Sequence, residues 1–274
     1  MTTLVHLSDL HFGGKVDIAA VEAAEELMPS LQPGAFVVSG DFAQRARAGE
    51  FLRGRAFLRA LGRLAPVHMV AGNHDVQWWR EPFGIPLLGR ARFAKYRRWV
   101  SADLAPVLAV DGAVLCGAPS AHGLALGSVT WNPRDLTVKG HVSAAALRRA
   151  AGAFGEGRPG ALRVLVVHHN VLRGNLSRRW GLARPRAAQR GIVATGADLV
   201  CCGHDHEEGI GTIELDGRRV VVSTAGTLST RGRGKRPPSF NVIRASDRAL
   251  RVEIHRLDRA AGSFVVAEAT DFAR

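Results

Sequence analysis

Five short polar runs carry the residues that could do chemistry: Asp9-Leu10-His11, Gly40-Asp41, Gly72-Asn73-His74-Asp75, Val167-His168-His169 and Gly203-His204-Asp205-His206. Imidazole, carboxylate and amide oxygen without a thiolate suit borderline or harder divalent ions rather than a structural zinc finger. Asp9, His11, Asp41, Asn73, His168, His204 and His206 make seven donors, more than one tetrahedral ion uses, so a carboxylate shared between two ions fits better. Two divalent cations against two carboxylates leave the site positive, which makes an anionic phosphate ester its natural guest.

Each run follows a short apolar stretch of the kind that forms a buried parallel strand: Thr3 to Leu7, Ala35 to Val38, Pro66 to Val70, Leu162 to Val167 and Asp198 to Cys202. The donors therefore fall at strand C-termini, the edge at which open α/β sheets bind ligands. Residues far apart in sequence can converge there.

The ordered pattern D-x-H, G-D, G-N-H-D, H, G-H-x-H resembles the calcineurin-like metallophosphoesterase superfamily, from Asp9 to His206. No single run is specific, but the ordered set is. The resemblance implies that Asp9, His11, Asp41 and His206 hold one ion and that Asp41, Asn73, His168 and His204 hold the other, with Asp41 bridging. His168 is the first His after its strand, and His169 stands beside it as the fallback donor. Asn170 and Val171 follow where many relatives have proline. The resemblance further implies that a metal-bridging hydroxide attacks phosphorus and that no phosphoenzyme forms. His74 would protonate the leaving group as general acid, with Asp75 fixing its tautomer.

The chain looks most like the compact bacterial branch that includes cyclic-nucleotide and glycerophosphodiester phosphodiesterases. The expected activity is thus hydrolysis of a small phosphodiester, with two divalent ions (Mn, Fe or Zn) as cofactors and a cyclic nucleotide among the candidate substrates. Asn73 and His74 would meet the phosphate, and Trp78, Trp79 or Arg231 the alcohol portion. A metal-dependent nuclease acting on DNA or RNA is the alternative. A metal-binding scaffold without catalysis is the alternative of another class.

Composition agrees with an enzyme core. The chain has 274 residues, 46% of them hydrophobic, enough for one α/β catalytic domain over 1–274, with residues 78–102 a lid insertion. The net charge of +13 is carried by arginine, since only Lys15, Lys95, Lys139 and Lys235 are lysines. Solvated helix faces explain scattered arginines, whereas a funnel for phosphate or nucleic acid would use the clusters Arg90 to Arg98, interleaved with Phe93 and Tyr96, and Arg231 to Arg236. Cys116, Cys201 and Cys202 sit in apolar contexts and read as buried thiols. With no signal-like start and no spanning segment, the expected location is cytoplasmic, and a homodimer stays open.

The expected helices are Asp17 to Met28, ended by Pro29, and Glu50 to Leu64 with Leu52, Phe57, Leu58 and Leu61 on its apolar positions. Asp216-Gly217 marks a hairpin between Gly211 to Leu215 and Arg218 to Thr224. Strands at Ser239 to Arg244, Leu250 to Leu257 and Ser263 to Glu268 follow, and the segment Ala225-Gly226-Thr227 is expected to approach the metals. The family implies a four-layer α/β/β/α sandwich of two mixed sheets flanked by helices.

Overall fold

A computed structural model of the chain describes residues 1–77, 92–122 and 138–274, with backbone alone at 79–80 and 85–86. The predicted strands form where the apolar runs stand: β1 (Thr2–Leu7), β2 (Ala35–Val38), β3 (Val67–Met69), β8 (Leu162–His169) and β9 (Leu199–Gly203). Two two-residue strands, β4 (Trp79–Arg80) and β5 (Ile85–Pro86), pair with each other, and β6 (Val107–Val110) pairs antiparallel with β7 (Ala113–Gly117). After β9 the chain runs through β10 (Gly209–Leu215), β11 (Arg218–Thr224), β12 (Ser239–Ala245), β13 (Ala249–Asp258) and β14 (Ser263–Ala273). Asp216 and Gly217 both have positive φ, 52° and 71°, as the β10–β11 hairpin turn requires.

Two six-stranded sheets result, in the orders β14-β13-β12-β1-β2-β3 and β10-β11-β9-β8-β7-β6. In the first, β1, β2 and β3 run parallel and β12 closes antiparallel on β1. In the second, β7, β8, β9 and β11 run parallel. The C-terminal strands divide between both sheets, and this division brings the two halves together as one sandwich.

Strand alternation then supplies both faces of each sheet. Leu4, Val37, Ile243 and Val252 of the first sheet meet Leu115, Val164, Val166 and Leu199 of the second in a dry middle layer. Val5, Leu7, Phe36 and Val242 face outward beneath α1 (Ile18–Leu27), α2 (Ala48–Leu64) and α3 (Ala94–Trp99). Leu165, Val167, Val200 and Val222 face outward beneath α4 (Ala144–Gly155) and α5 (Pro185–Ala194). The arrangement is the expected α/β/β/α sandwich.

Asp17 caps α1 through the Ala20 N–H, and the helix passes at Met28 into a 3-10 turn that runs through Pro29 to Leu31 rather than stopping at the proline. On α2 the buried stripe is Phe51, Gly54, Phe57, Leu58 and Leu61. Leu52 is 46% exposed: a helix beginning at Ala48 turns Phe51 to the core and Leu52 away from it. Tyr96 is fully buried and Phe93 packs against the same core, so the aromatic residues of the Arg90 to Arg98 cluster anchor a helix rather than stack on bases. The three cysteines are free and buried. Among the described residues no helix is long and apolar enough to cross a membrane.

Two buried histidines lie in this scaffold away from the polar runs. His6, on β1, meets Ser39 Oγ at 3.0 Å and Ser223 Oγ at 2.9 Å, tying the two sheets together through a polar bridge. His68 Nε2 donates to the Pro106 carbonyl at 3.0 Å. Burial lowers both, to about 3 for His6 and about 4 for His68. The folded state therefore refuses protons that the unfolded chain accepts below pH 6.5, and stability falls as pH drops from there towards 4. By linkage, His68 alone should remove about 2 kcal/mol at pH 5. Chemical denaturation at pH 7.5 and 5 should show a smaller acid loss for His68→Gln, which keeps the N–H to Pro106, than for the wild type; equal losses would contradict the assignment.

Candidate metal centre

The polar runs converge where the parallel strands of both sheets end. Backbone hydrogen bonds stitch the loops of the first sheet in register: Asp9 N donates to Gly40 O and His11 N to Asp41 O, both at 3.0 Å. The chain must reverse sharply to turn these side chains inward. Asp9, His11, Asp41, His204 and His206 all take positive φ, between 46° and 77°, a conformation costing roughly 1–3 kcal/mol for each non-glycine residue. The glycines of the runs serve close approach. A Cβ on Gly72 would collide with the Asp41 carboxylate and backbone, and one on Gly203 with Ser8 and Asp9.

The donors assemble in two sets. Asp9, His11, Asp41 and His206 each place one donor atom within 4.8 Å of the others. Within this set His11 Nε2 and His206 Nε2 stand only 2.9 Å apart, and Asp9 Oδ1 lies 3.2 Å from His206 Nε2. In the second set, Asn73 Oδ1 lies 3.0 Å from both His168 Nε2 and His204 Nδ1, which are 3.3 Å from each other. Asp41 Oδ2 stands between the sets, 3.4 Å from His168 Nε2 and 3.9 Å from His11 Nε2. All seven residues expected at the metals are therefore brought together.

His169 also lies near His168 and His204, but its ring nitrogens are engaged elsewhere, Nδ1 with Ser120 Oγ at 2.8 Å and Nε2 with the Val138 carbonyl at 3.1 Å. His168 instead donates Nδ1–H to the Ser39 carbonyl at 2.8 Å, which turns Nε2 towards Asn73 and Asp41. Of the two adjacent histidines, His168 has the free donor atom.

The electrostatics of the pocket prepare it for cations. Burial would raise Asp9 and Asp41, but neighbouring imidazoles, His206 for Asp9 and His168 for Asp41, outweigh it and hold both carboxyls below their ordinary range. Burial drives His11 and His204 down to about 3. Burial also opposes charge on His168, yet the Asp41 carboxylate prevails and raises it to about 9. Converging lone pairs on nitrogen and oxygen repel unless a positive charge lies among them. Buried Asp9 Oδ1 has no hydrogen-bond donor among the described residues, which is what a carboxylate oxygen reserved for a metal looks like.

His74 and Asp75 behave differently from expectation. Asp75 does not touch the His74 ring: its carboxylate accepts the backbone N–H groups of Phe42, Ala43 and Gly72 at 3.1, 2.8 and 2.9 Å. It braces the loops that carry Asp41 and Asn73. The His74 tautomer is set by the Gln44 carbonyl, which accepts Nδ1–H at 2.8 Å and leaves Nε2 facing the cavity. The correction is geometric. A carboxylate on the next residue follows the backbone inward, whereas the imidazole points out.

Arg231 reaches the same place. Its Nη1 lies 3.4 Å from His74 Nε2 and from both ring nitrogens of His11. Thr227 follows the second sheet in, as expected, and donates its hydroxyl to the Asp9 carbonyl. Trp78 and the side chain of Trp79 lie outside the described residues, as do residues 81–84 and 87–91 of the expected lid. Over the donors opens a cavity of about 580 Å³ lined by Asp41, Asn73, His74, His204, His206 and Arg231, and also by Lys139, Arg178, Arg179, Trp180 and Arg233. Of this second group, Arg233 falls in a basic cluster visible in sequence. Arg178-Arg179-Trp180 follows no strand and carries no motif, so no signal singled it out.

A family model described as calcineurin-like phosphoesterase matches residues 2–208. No curated protein matches the chain. Among solved structures it is similar to a purple acid phosphatase, PPD1, from yellow lupin (Lupinus luteus) seeds, with a TM-score of 0.69 and 11% identity over 100% of this chain. This chain spans 54% of the lupin protein, about half its length. It is also similar to a dimetal phosphatase from Danio rerio (TM-score 0.64, 13% identity, covering 99% of this chain and 98% of that one). A third likeness is to GAP50, described as the anchor in the inner membrane complex of Plasmodium (TM-score 0.59, 12% identity, covering 99% and 88%). At such identities the likenesses establish the fold, while the two donor sets and the family together imply two divalent metals. Donor runs, fold and family match agree that this chain belongs to the calcineurin-like phosphoesterases, metal-dependent hydrolases of phosphate esters.

Proposed function

We propose that the protein is a phosphodiesterase whose two-metal site uses His74 to protonate the leaving alkoxide. The observation that carries this reading is the orientation of His74: Nδ1–H is fixed on Gln44 O, and Nε2 faces the cavity above Asp41 and Asn73. Asp9, His11, Asp41 and His206 would hold one ion, and Asp41, Asn73, His168 and His204 the other. Mn, Fe or Zn suits this set of imidazole, carboxylate and amide donors. Bound there, two divalent cations supply Lewis acidity at phosphoryl oxygens and acidify water into a nucleophile.

The remaining steps belong to side chains. An incoming phosphate attracts the Arg231 guanidinium away from His74 and His11, and Arg231 then fixes a phosphoryl oxygen by a charge-assisted hydrogen bond. Release of His74 Nε2 from the guanidinium lets it carry the proton passed to the leaving oxygen. The backbone cage around the Asp75 carboxylate keeps the Asp41 and Asn73 loops from spreading as charge builds. A cavity of about 580 Å³ has room for an ester with organic groups on both sides of phosphorus, as a diester requires.

Cationic side chains around the cavity favour one second reading, a nuclease, in which the diester belongs to DNA or RNA. A scaffold without catalysis, by analogy with the protein described as an anchor, has less support, because all seven donors and His74 are present and oriented. Silence towards every diester across several metals would restore it.

Hydrolysis of bis-p-nitrophenyl phosphate with added Mn tests the main reading. His74→Ala should lose about 10²- to 10⁴-fold in kcat while keeping its metal, whereas Asp41→Asn should lose activity together with bound metal. A fully active His74→Ala variant would remove the proton-transfer role. Gly72→Ala should bind fewer than two metal equivalents by elemental analysis while retaining a native circular dichroism spectrum, since the added methyl displaces the Asp41 carboxylate. Two retained equivalents would show that the close packing of Gly72 on Asp41 is dispensable.

A further inference from the structure

We propose that the cavity contains a second anion subsite, formed by Arg178, Arg179 and Lys139, that takes a phosphate adjoining the one attacked. The inference rests on the phosphodiesterase reading and names the class of substrate: an ester with at least one phosphate beyond the scissile one.

The first observation is how the cations are paired. Just after the last donor run, arginines are neutralised. Glu208 is buried and its Oε1 takes Arg236 Nη1 at 3.1 Å and Arg256 Nε at 2.6 Å. Arg233, at the cavity wall, donates Nε–H to the Asp205 carbonyl at 2.9 Å, with Asp205 Oδ1 3.8 Å from its Nη2. In contrast, Arg178 and Arg179 line the cavity with no acidic partner among the described residues, and Lys139 Nζ donates to a neutral group, the Trp180 carbonyl, at 2.7 Å. Arg231 already serves the reacting phosphate. Three cations are therefore without a carboxylate partner among the described residues, and all three residues line the same space.

The second observation is that the segment bearing them is built, not loose. Glu207, buried directly after the last metal-site histidine, accepts the backbone N–H of Leu176 at 3.1 Å and of Ser177 at 2.9 Å. Asp205, between the two histidines of the last run, accepts Ser177 Oγ at 2.7 Å and Asn170 Nδ2 at 2.9 Å. Arg178 itself is held at a φ of 55°. Thus the turn that supplies His204 and His206 also clamps the backbone that carries Arg178 and Arg179, which places these residues beside the reacting centre. Guanidinium groups carried beside a phosphate site on a held backbone select a second phosphate by charge-assisted hydrogen bonds.

Two sources share this chemistry, a nucleoside polyphosphate and a nucleotide chain. Calorimetry on Mn-loaded protein with thymidine 5′-monophosphate, thymidine 5′-diphosphate and thymidine 3′,5′-bisphosphate separates them. Wild-type protein should bind one two-phosphate probe about tenfold or more tightly than the monophosphate; preference for the diphosphate identifies the polyphosphate source, and preference for the bisphosphate the chain. In R178A/R179A, whose changes fall on exposed side chains, the ratio should collapse towards one. Equal binding of all three probes by the wild type, or a ratio unchanged in R178A/R179A, overturns the subsite. Failure of the wild type to hydrolyse bis-p-nitrophenyl phosphate is a different result, which removes the phosphodiesterase reading and leaves the binding ratios to judge the subsite alone.

Discussion

Everything in this molecule answers to a single electrostatic demand, that two carboxylates, four imidazoles and an amide oxygen lie within bonding distance of common points in a nearly dry interior. Such an assembly is repulsive by itself and gains nothing from hydrophobic burial. It persists because both carboxylates and the His168 ring are held from behind, as is the neighbouring His74. Ser39 and Gln44 carbonyls fix His168 and His74. Backbone N–H groups at His74 and His204 fix Asp41 and Asp9. The five left-handed residues are the backbone expression of the same demand, since an extended or helical continuation would carry those side chains past the centre.

The sandwich makes this possible by separating two tasks. The middle layer between the sheets is apolar and sets how far apart the strand ends lie, while the loops beyond those ends carry the polar chemistry. His6 marks the boundary. It is a neutral ring between serines of the two sheets, three residues before Asp9, where the dry layer gives way to the site. The likeness to solved structures of very low identity fits this division, because an apolar layer accepts many residues of similar volume, whereas the donor atoms do not.

Much of this was legible in the sequence, for physical reasons that differ between regions. Strands β1, β2, β3, β8 and β9 and the seven donors could be read because buried parallel strands are continuous apolar runs and metal ligands must be particular residue types. The β10–β11 hairpin was legible because few residues besides Asp-Gly fit its turn. Helices α4 and α5 were passed over, although Ser143 caps one and Pro185 opens the other, because each buries only two side chains, Ala150 and Phe154 on one and Ile192 and Val193 on the other, amid Ala and Arg. Asp75 was misread since adjacency in sequence says nothing of which way a side chain faces. Arg178 and Arg179 could not be found at all: their segment is placed by hydrogen bonds from the neighbouring Ser177 to Glu207 and Asp205, about thirty residues away, which leave no local pattern.

The antiparallel pairing of β12 with β1 bears on how the chain is made. β1 acquires β2 on one flank within the next thirty or so residues, but its other flank stays bare until residues 239–245 have been synthesised. During vectorial synthesis the nascent polypeptide therefore exposes an unsatisfied strand edge beside Asp9 and His11 until β12 has been made. The edge is closed only by the strand that returns from the far end of the fold, so the last wall of the donor loops is also among the last to be set.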